Sequence, residues 1–321
     1  MSDQMNRRNF LKSIGAIGLI STLPRTLSFA GGDAGSQVRI GVFTDLHHMS
    51  FKKDETARMK LIMDAMLQEK PDLMIEGGDF TYPKNIEPVL AEWNRFDGPK
   101  YHVLGNHDMD YCDKATITKL LGMENRYYSF DHGAFHFAVL DRNNFRKADG
   151  SVEGYAKGNW YKAGDGKINQ IDPEQMAWIR DDLTKTTKPT VLWMHQPIAA
   201  TDELNNIGNG QELLDLIDEM NFTARQSTGK PRVIAAFFGH DHTDVYTLRN
   251  DVHYIMLNSA SYAYHGGGPY YYQDPLFCFV TLDPAGTIQI KGKSSVYGPA
   301  PVPERIHIQI PSRISDRSLV T

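Results

Sequence analysis

Five short apolar runs in this chain end on the same kind of chemistry, and that repetition limits its fold more than any other feature. Val38 to Thr44 leads into Asp45-Leu46-His47, Leu73 to Glu76 into Gly77-Gly78-Asp79, and Tyr101 to Leu104 into Gly105-Asn106-His107-Asp108. Thr190 to Met194 runs into His195, and Val233 to Phe238 into Gly239-His240-Asp241-His242. Short apolar runs bounded by Gly and polar residues read as buried strands. Between the first three, Glu55 to Lys70 places Met59, Ile62, Met63, Met66 and Leu67 at helical spacing and is closed by Pro71; Asn85 to Phe96 reads as a second helix. These methionines are core filling. Strand, polar loop, helix, strand is the rhythm of an α/β sheet, whose ligands gather at the carboxyl ends of the strands.

The remainder extends the pattern. A short helix is expected near Ala115 to Leu121, and Arg126 to Phe130 with Ala134 to Leu140 predict a hairpin around Asp131-His132-Gly133. Residues 142–170 are rich in Gly, Asn and Lys around Trp160 and Tyr161, and predict a long functional loop. Asp172-Pro173 starts a helix that buries Met176, Ile179 and Leu183, and Gln211 to Met220 forms another. Short strands are expected at Val245 to Leu248, His253 to Leu257, Phe277 to Leu282 and Thr287 to Ile290. The reading is one α/β domain over residues 31–294, two sheets covered by helices, followed by an irregular tail over 295–321. His48 reads as a solvated loop neighbour, and His102 and His136 as hydrogen-bonded parts of the fold.

The first thirty residues read as a twin-arginine signal peptide. Asn6-Arg7-Arg8-Asn9-Phe10-Leu11-Lys12 precedes the apolar run Ile14 to Leu23, and Ser28-Phe29-Ala30 resembles a cleavage site that predicts a mature start at Gly31. The run is short and broken by Gly15, Gly18, Ser21 and Thr22, which argues against a membrane anchor. Export through the twin-arginine machinery, to the periplasm or beyond, is the expectation. The formal charge of −5 becomes more negative once Arg7, Arg8, Lys12 and Arg25 are removed, which excludes broad nucleic-acid binding. Cys112 and Cys278 are expected to be buried and unpaired.

The strand tips together offer Asp45, His47, Asp79, Asn106, His195, His240 and His242. Imidazoles, carboxylates and an amide oxygen without thiolate suit manganese, iron or zinc. Seven donors are too many for one tetrahedral zinc and right for two ions sharing a carboxylate. Two ions about 3.5–4 Å apart clamp the attacking and leaving oxygens of an in-line displacement at phosphorus.

The ordered set D-x-H, G-D, G-N-H-D, H and G-H-x-H resembles that of the calcineurin-like metallophosphoesterases, over roughly residues 38–292. The resemblance implies a four-layer αββα sandwich of two mixed sheets with a dimetal site at the strand ends. It implies that Asp45, His47 and His242 bind one metal, Asn106, His195 and His240 the other, and that Asp79 bridges both. His107 would protonate the leaving oxygen, with Asp108 holding its ring. The substrate would be a small phosphodiester or phosphomonoester, a nucleotide among the candidates, attacked by a hydroxide shared between the ions. The D-x-H start and GHDH end resemble the cyclic-nucleotide phosphodiesterase and nucleoside-diphosphate-sugar hydrolase branches.

Gly78-Asp79-Phe80-Thr81-Tyr82 also has the G-D-x-x-Y form of purple acid phosphatases, in which the Tyr binds ferric iron. One ion can hardly use both His47 and Tyr82, so His47 is the expected ligand and Tyr82 a packed neighbour. A purple-acid-type phosphatase and a metal-binding protein without turnover are the rival readings. Tyr262-Ala263-Tyr264-His265 and Tyr270 to Tyr272 suggest an aromatic wall against a nucleobase or sugar, or else rings packed on the sheet. Tyr262, His265 and the 142–170 loop are expected at the rim of the site. Arg142 and Asn143 follow a strand and are candidates for a phosphate oxygen, with a plain turn as the alternative.

Overall fold

The computed structural model describes residues 26–28, 35–162, 168–198, 207–298 and 300–321. The expected leader and its cleavage site lie outside these residues, apart from the backbone of β1 (Thr26–Ser28).

The first unit alternates as expected: β2 (Val38–Phe43), α1 (Thr56–Glu69), β3 (Leu73–Glu76), α2 (Glu87–Trp93) and β4 (Lys100–His102). A short α3 (Lys114–Leu120) is capped by Asp113, whose carboxylate accepts the Thr116 N–H. The hairpin β5 (Tyr128–His132) and β6 (Phe135–Leu140) follows. Residues 142–170 are not one long loop: β7 (Asn144–Arg146), β8 (Val152–Gly154) and β9 (Ile168–Gln170) form a small antiparallel sheet. Next come α4 (Pro173–Lys185), β10 (Thr190–Met194), α5 (Gly210–Thr228) and β11 (Val233–Phe238). Three antiparallel pairs or edges complete the chain: β12 (Val245–Arg249) with β13 (Val252–Met256), β14 (Tyr262–His265) with β15 (Gly268–Tyr271), and β16 (Cys278–Asp283) with β17 (Thr287–Gly292).

The tail is not irregular. It forms α6 (Glu304–Gln309) and β18 (Arg317–Val320), and β18 pairs antiparallel with β17. Ile306, Ile310 and Ile314 enter the central core. A four-residue edge strand that buries only Leu319 carries too little periodicity to be recognised in sequence.

Two mixed sheets result, ordered β1-β5-β6-β10-β11-β13-β12 and β18-β17-β16-β2-β3-β4. Side-chain alternation along the strands builds three apolar layers. Ile40, Val42 and Ile75 meet Phe130, Phe137, Val191 and Trp193 between the sheets. Opposite neighbours on the same strands, Phe43 and Met74, pack under Met59, Ile62 and Met66 of α1 and Trp93 of α2. Ala138, Leu192, Met194 and Ala236 pack under Trp178 and Ile179 of α4 and Leu213 and Ile217 of α5. The order is helix, sheet, sheet, helix. Cys112 and Cys278 are both buried and free.

One polar clamp ties the outer helix layer to its sheet. His136 on β6 lies 2.7 Å from the Asp131 carboxylate and 2.9 Å from that of Asp182 on α4. Burial opposes its charge, but the two carboxylates outweigh it and raise its pKa to about 9. The protonated clamp stabilises the fold fully below the ordinary imidazole value and is lost as pH rises through about 9. The stability difference between wild type and His136→Gln should therefore shrink between about pH 6 and about pH 10, by at most about 3 kcal/mol. Urea unfolding of both proteins across that range measures it; a constant difference contradicts the clamp.

Candidate metal centre

All five polar tips stand at the carboxyl ends of parallel neighbours, β2, β3 and β4 in one sheet and β10 and β11 in the other. Beyond the strand ends, the first two tips remain paired through the backbone. Asp45 N–H donates to Gly78 O at 2.9 Å, His47 N–H to Asp79 O at 2.9 Å, and His48 N–H to Phe80 O at 3.0 Å. His48 is therefore buried, not solvated, and its ring contacts Asn85 O at 2.7 Å.

The turns that expose the donors are left-handed. Asp45 (φ 55°), His47 (54°), Asp79 (55°), His240 (75°) and His242 (51°) all have positive φ. Asp and His tolerate this region better than branched residues do, yet each costs on the order of 1–3 kcal/mol. Hydrogen bonds from elsewhere hold the strained backbone in place. Ser259 Oγ donates to Asp45 O at 2.9 Å, Ser261 Oγ to Leu46 O at 2.7 Å, and Ala260 N–H to Thr44 O at 2.8 Å. Two glycines are dictated by crowding. A Cβ at Gly105 would stand 2.1 Å from Asp79 Oδ1, and one at Gly78 (φ 101°) would stand 2.5 Å from His195 Nδ1.

The side chains converge in three overlapping groups, one of them His47, Asp79 and His107. Ligand atoms of Asp45, His47 and His242 lie within 4.8 Å of one another, as do those of Asp79, His195 and His240. His242 Nε2 is 3.2 Å from Asp45 Oδ1, His195 Nε2 is 3.0 Å from Asp79 Oδ2, and the Nε2 atoms of His47 and His242 face each other at 3.0 Å. His195 is oriented through Nδ1 by Gly77 O at 2.9 Å, and His242 through Nδ1 by Tyr262 O at 2.9 Å. Such carbonyl contacts fix the tautomer and leave Nε2 as the donor to a metal. Asn106 stands beside them, and its Oδ1 accepts from Gln196 Nε2 at 3.2 Å. The buried Asn106 Nδ2 has no hydrogen-bond partner. Buried imidazole nitrogens that face each other and carboxylates suit divalent cations.

The buried acids and imidazoles also shift one another strongly. Burial disfavours the charge of Asp45, but His195 and His242 overcome it and hold the carboxyl well below its ordinary range. His195, opposed by burial yet set between Asp79 and Asp45, is raised to about 9. Burial lowers His47 to about 4, and His240 is held well below its ordinary value by burial and by His195.

His107 is placed differently from the expectation. Its Nδ1 contacts Asp110 Oδ2 at 2.8 Å, not Asp108. The Asp108 carboxylate turns into the backbone instead, accepting from Gly105 N–H (2.8 Å), Asp79 N–H (3.2 Å) and Thr81 N–H (3.1 Å). Residues 107–109 form a single 3-10 turn, which carries Asp110 back beside His107 at i+3. Burial and the charge of Asp79 raise Asp108 to about 7.

These groups line a cavity of about 530 Å³. Its rim includes Ser50, Phe51, Tyr82, Trp160, Asp241, Tyr262 and Tyr264. Tyr262 stacks on His47 with ring centroids 5.0 Å apart, and the Trp160 ring stands edge-on to His107 at 5.1 Å. Tyr82 is a packed neighbour whose hydroxyl receives a hydrogen bond from Ser50 at 3.1 Å, and burial raises its pKa. Three expected substrate contacts need correction. Arg142 is buried against the Tyr155 hydroxyl at 3.2 Å, Asn143 holds Leu104 O and Gln196, and His265 stands on β14 away from the cavity lining. Buried side chains after a strand pack inward, which a turn reading cannot anticipate. Trp160 comes from the 142–170 segment expected at the rim, whereas Phe51, Asp110 and Gln196 were not singled out by the sequence as site residues; the i+3 spacing of Asp110 from His107 offered a signal.

The family model for calcineurin-like phosphoesterases matches residues 38–244. The chain belongs to that family. This phosphoesterase is 23% identical to a 3',5'-cyclic-nucleotide phosphodiesterase from a Nostoc species, over 71% of the chain and 80% of the relative. It is 25% identical to a manganese-dependent ADP-ribose/CDP-alcohol diphosphatase from Oryza sativa, over 54% of the chain and 62% of the relative. Among solved structures, a dimetal phosphatase from Danio rerio shares the fold at TM-score 0.58 and 14% identity, covering 81% of the chain and 98% of that structure. GAP50, the anchor in the inner membrane complex of Plasmodium, does so at TM-score 0.53 and 16% identity, covering 80% and 84%. The phosphoesterase is a metal-dependent phosphoric ester hydrolase of a family that uses two divalent ions, and its His and Asp groups can hold them.

The crowding at Gly105 supplies a test. Gly105→Ala should push the Asp79 carboxylate aside, lowering bound metal below two ions per chain and activity by about 10²-fold or more, as expected when reacting groups are misplaced by about 1 Å. Metal analysis of the folded variant checks this, and wild-type stoichiometry with wild-type turnover overturns it.

Proposed function

We propose that the protein is an exported phosphodiesterase in which Asp45, His47 and His242 would hold one ion and Asn106, His195 and His240 a second, with the Asp79 carboxylate available to either. When bound, the ions supply Lewis acidity toward the phosphoryl oxygens and lower the pKa of the attacking water. The observation that carries the reading is the place of His107. It opens into the cavity beside the donor cluster, its Nδ1 is engaged by Asp110, and its backbone N–H donates to Asp79 Oδ1 at 2.8 Å. Burial opposes its charge, yet Asp79 and Asp110 raise its pKa, so it keeps a proton for the leaving oxygen.

The cavity wall supports a diester over a monoester. Among the described residues that line it, none is Lys or Arg, while Phe51, Tyr82, Trp160, Tyr262 and Tyr264 present aromatic surface. A diester carries less charge than a monoester and offers a second organic group to such a wall. The names of the two relatives, a cyclic-nucleotide phosphodiesterase and an ADP-ribose/CDP-alcohol diphosphatase, point the same way. A small phosphorylated substrate, with a nucleotide as the leading class, fits this reading. The twin-arginine sequence at Arg7-Arg8 and the site after Ala30 support export to the periplasm.

With manganese-loaded protein, bis(p-nitrophenyl) phosphate should be turned over at a kcat/KM at least about tenfold above that of p-nitrophenyl phosphate, and His107→Asn should lower kcat by about 10²–10⁴-fold with both ions retained. Preference for the monoester sinks the diester reading, and an unimpaired His107→Asn sinks the proton-donor role. Export is tested separately: native protein from the periplasmic fraction should begin at Gly31, and Arg7→Lys with Arg8→Lys should keep it in the cytoplasm. Recovery with Met1 intact contradicts the leader.

A further inference from the structure

The small β7–β9 sheet sends a segment back to the metal centre. Lys157 N–H donates to Cys112 O at 2.9 Å, Gly158 N–H donates to Met109 O at 3.1 Å, and Ala156 bridges Asp113. This seats residues 156–160 directly on the turn that carries His107 and Asp110. There the Trp160 indole N–H donates to Asp110 Oδ1 at 3.2 Å, while Asp110 Oδ2 takes His107 Nδ1 at 2.8 Å. Each carboxylate oxygen of Asp110 is thus tied to a different segment, the Tyr82 hydroxyl also hydrogen-bonds this carboxylate, and the Asp110 side chain is only 6% exposed. A carboxylate held at one oxygen can still turn about its Cβ–Cγ bond; held at both, it fixes the plane in which its partner ring lies. Trp160 is itself braced, stacking on Tyr155 at 6.1 Å and 19°, and the Tyr155 hydroxyl donates to Asn169 Oδ1 at 2.6 Å on β9.

We propose that Trp160 and Asp110 are positioning residues for proton delivery: the indole fixes the carboxylate, and the carboxylate sets the His107 ring so that Nε2 faces the leaving oxygen. The inference rests on the reading of His107 as proton donor. In the step served, water forms a bond to phosphorus through its oxygen and loses a proton to solvent. The bond to the leaving oxygen breaks with its electron pair, and that oxygen takes the proton from His107 Nε2. Nothing in this geometry is needed for a leaving group that departs well as an anion. The device matters when the departing alkoxide is a strong base. The inserted sheet would therefore set which alcohols this enzyme can release.

The test is a series of methyl aryl phosphates from p-nitrophenyl to phenyl, turned over by manganese-loaded wild type, His107→Gln, Asp110→Asn, Trp160→Phe and the Asp110→Asn/Trp160→Phe pair. Trp160→Phe keeps the ring but removes the N–H. Measured against the p-nitrophenyl ester of the same variant, so that any change in binding cancels, the phenyl ester should be slowed by about a further tenfold, and in Asp110→Asn by about a further 10²-fold. The double variant should be no slower than Asp110→Asn alone, because the indole acts through the carboxylate. Metal content and melting temperature are measured alongside, and Asp110→Asn serves if Trp160→Phe is poorly folded. If His107→Gln does not steepen the dependence on the leaving group, the proton-donor reading falls and this inference with it. If His107→Gln steepens it while Asp110→Asn and Trp160→Phe run parallel to wild type, only the positioning role is overturned. Additive losses in the double variant also overturn it.

Discussion

Four of the five tips of the site meet at Asp79. Its carbonyl accepts the His47 N–H, its own N–H reaches the Asp108 carboxylate, Oδ1 accepts the His107 N–H, and Oδ2 stands 3.0 Å from His195 Nε2. One residue thus joins the ends of β2, β3, β4 and β10, which belong to two different sheets. Gly105 exists to let this happen, since any side chain there would overlap the carboxylate. The inter-sheet core serves the same end, because the register between β2 and β10 decides whether Asp45 and His195 can share a space.

The site is costly to the fold that holds it. Five donors have left-handed backbone, and the buried acids Glu76, Asp108, Asp79 and Asp45 crowd together. Burial and Asp108 keep the Glu76 carboxyl well above its ordinary range, and it takes up the Gly78 N–H and the His102 ring. Neutralising one acid and pairing the others to histidines makes the cluster tolerable. Strain gathered at one point and offset by broad apolar packing elsewhere is what functional centres in stable folds require.

Much of this was legible in the sequence, because strand ends and donor types are local properties. The tips at Asp45, Asp79, Asn106, His195 and His240 needed only an apolar run and the residue after it. His102 and His136 were rightly read as parts of the fold. What failed depended on geometry that spacing does not encode. Asp108 and Asp110 are equally good carboxylates next to His107; a single 3-10 turn decides that the nearer one binds backbone and the farther one binds the ring. Arg142 looked available because it follows a strand, yet its side chain turns inward. The sheet of β7 to β9 was hidden by its three-residue strands, and β18 by a single buried leucine.

The serines that brace the first turn come from far along the chain. Ser259 and Ser261 lie 214 and 215 residues beyond the carbonyls they hold, and His240 reaches back 195 residues to Asp45. The entropy of closing contacts this distant grows only slowly with separation, but they cannot form before residues 259–261 are in place. During synthesis the N-terminal donors emerge long before the segment that locks their backbone. The centre is therefore assembled after the last third of the chain has docked, and a truncated chain would present its first three tips without the means to hold them in register.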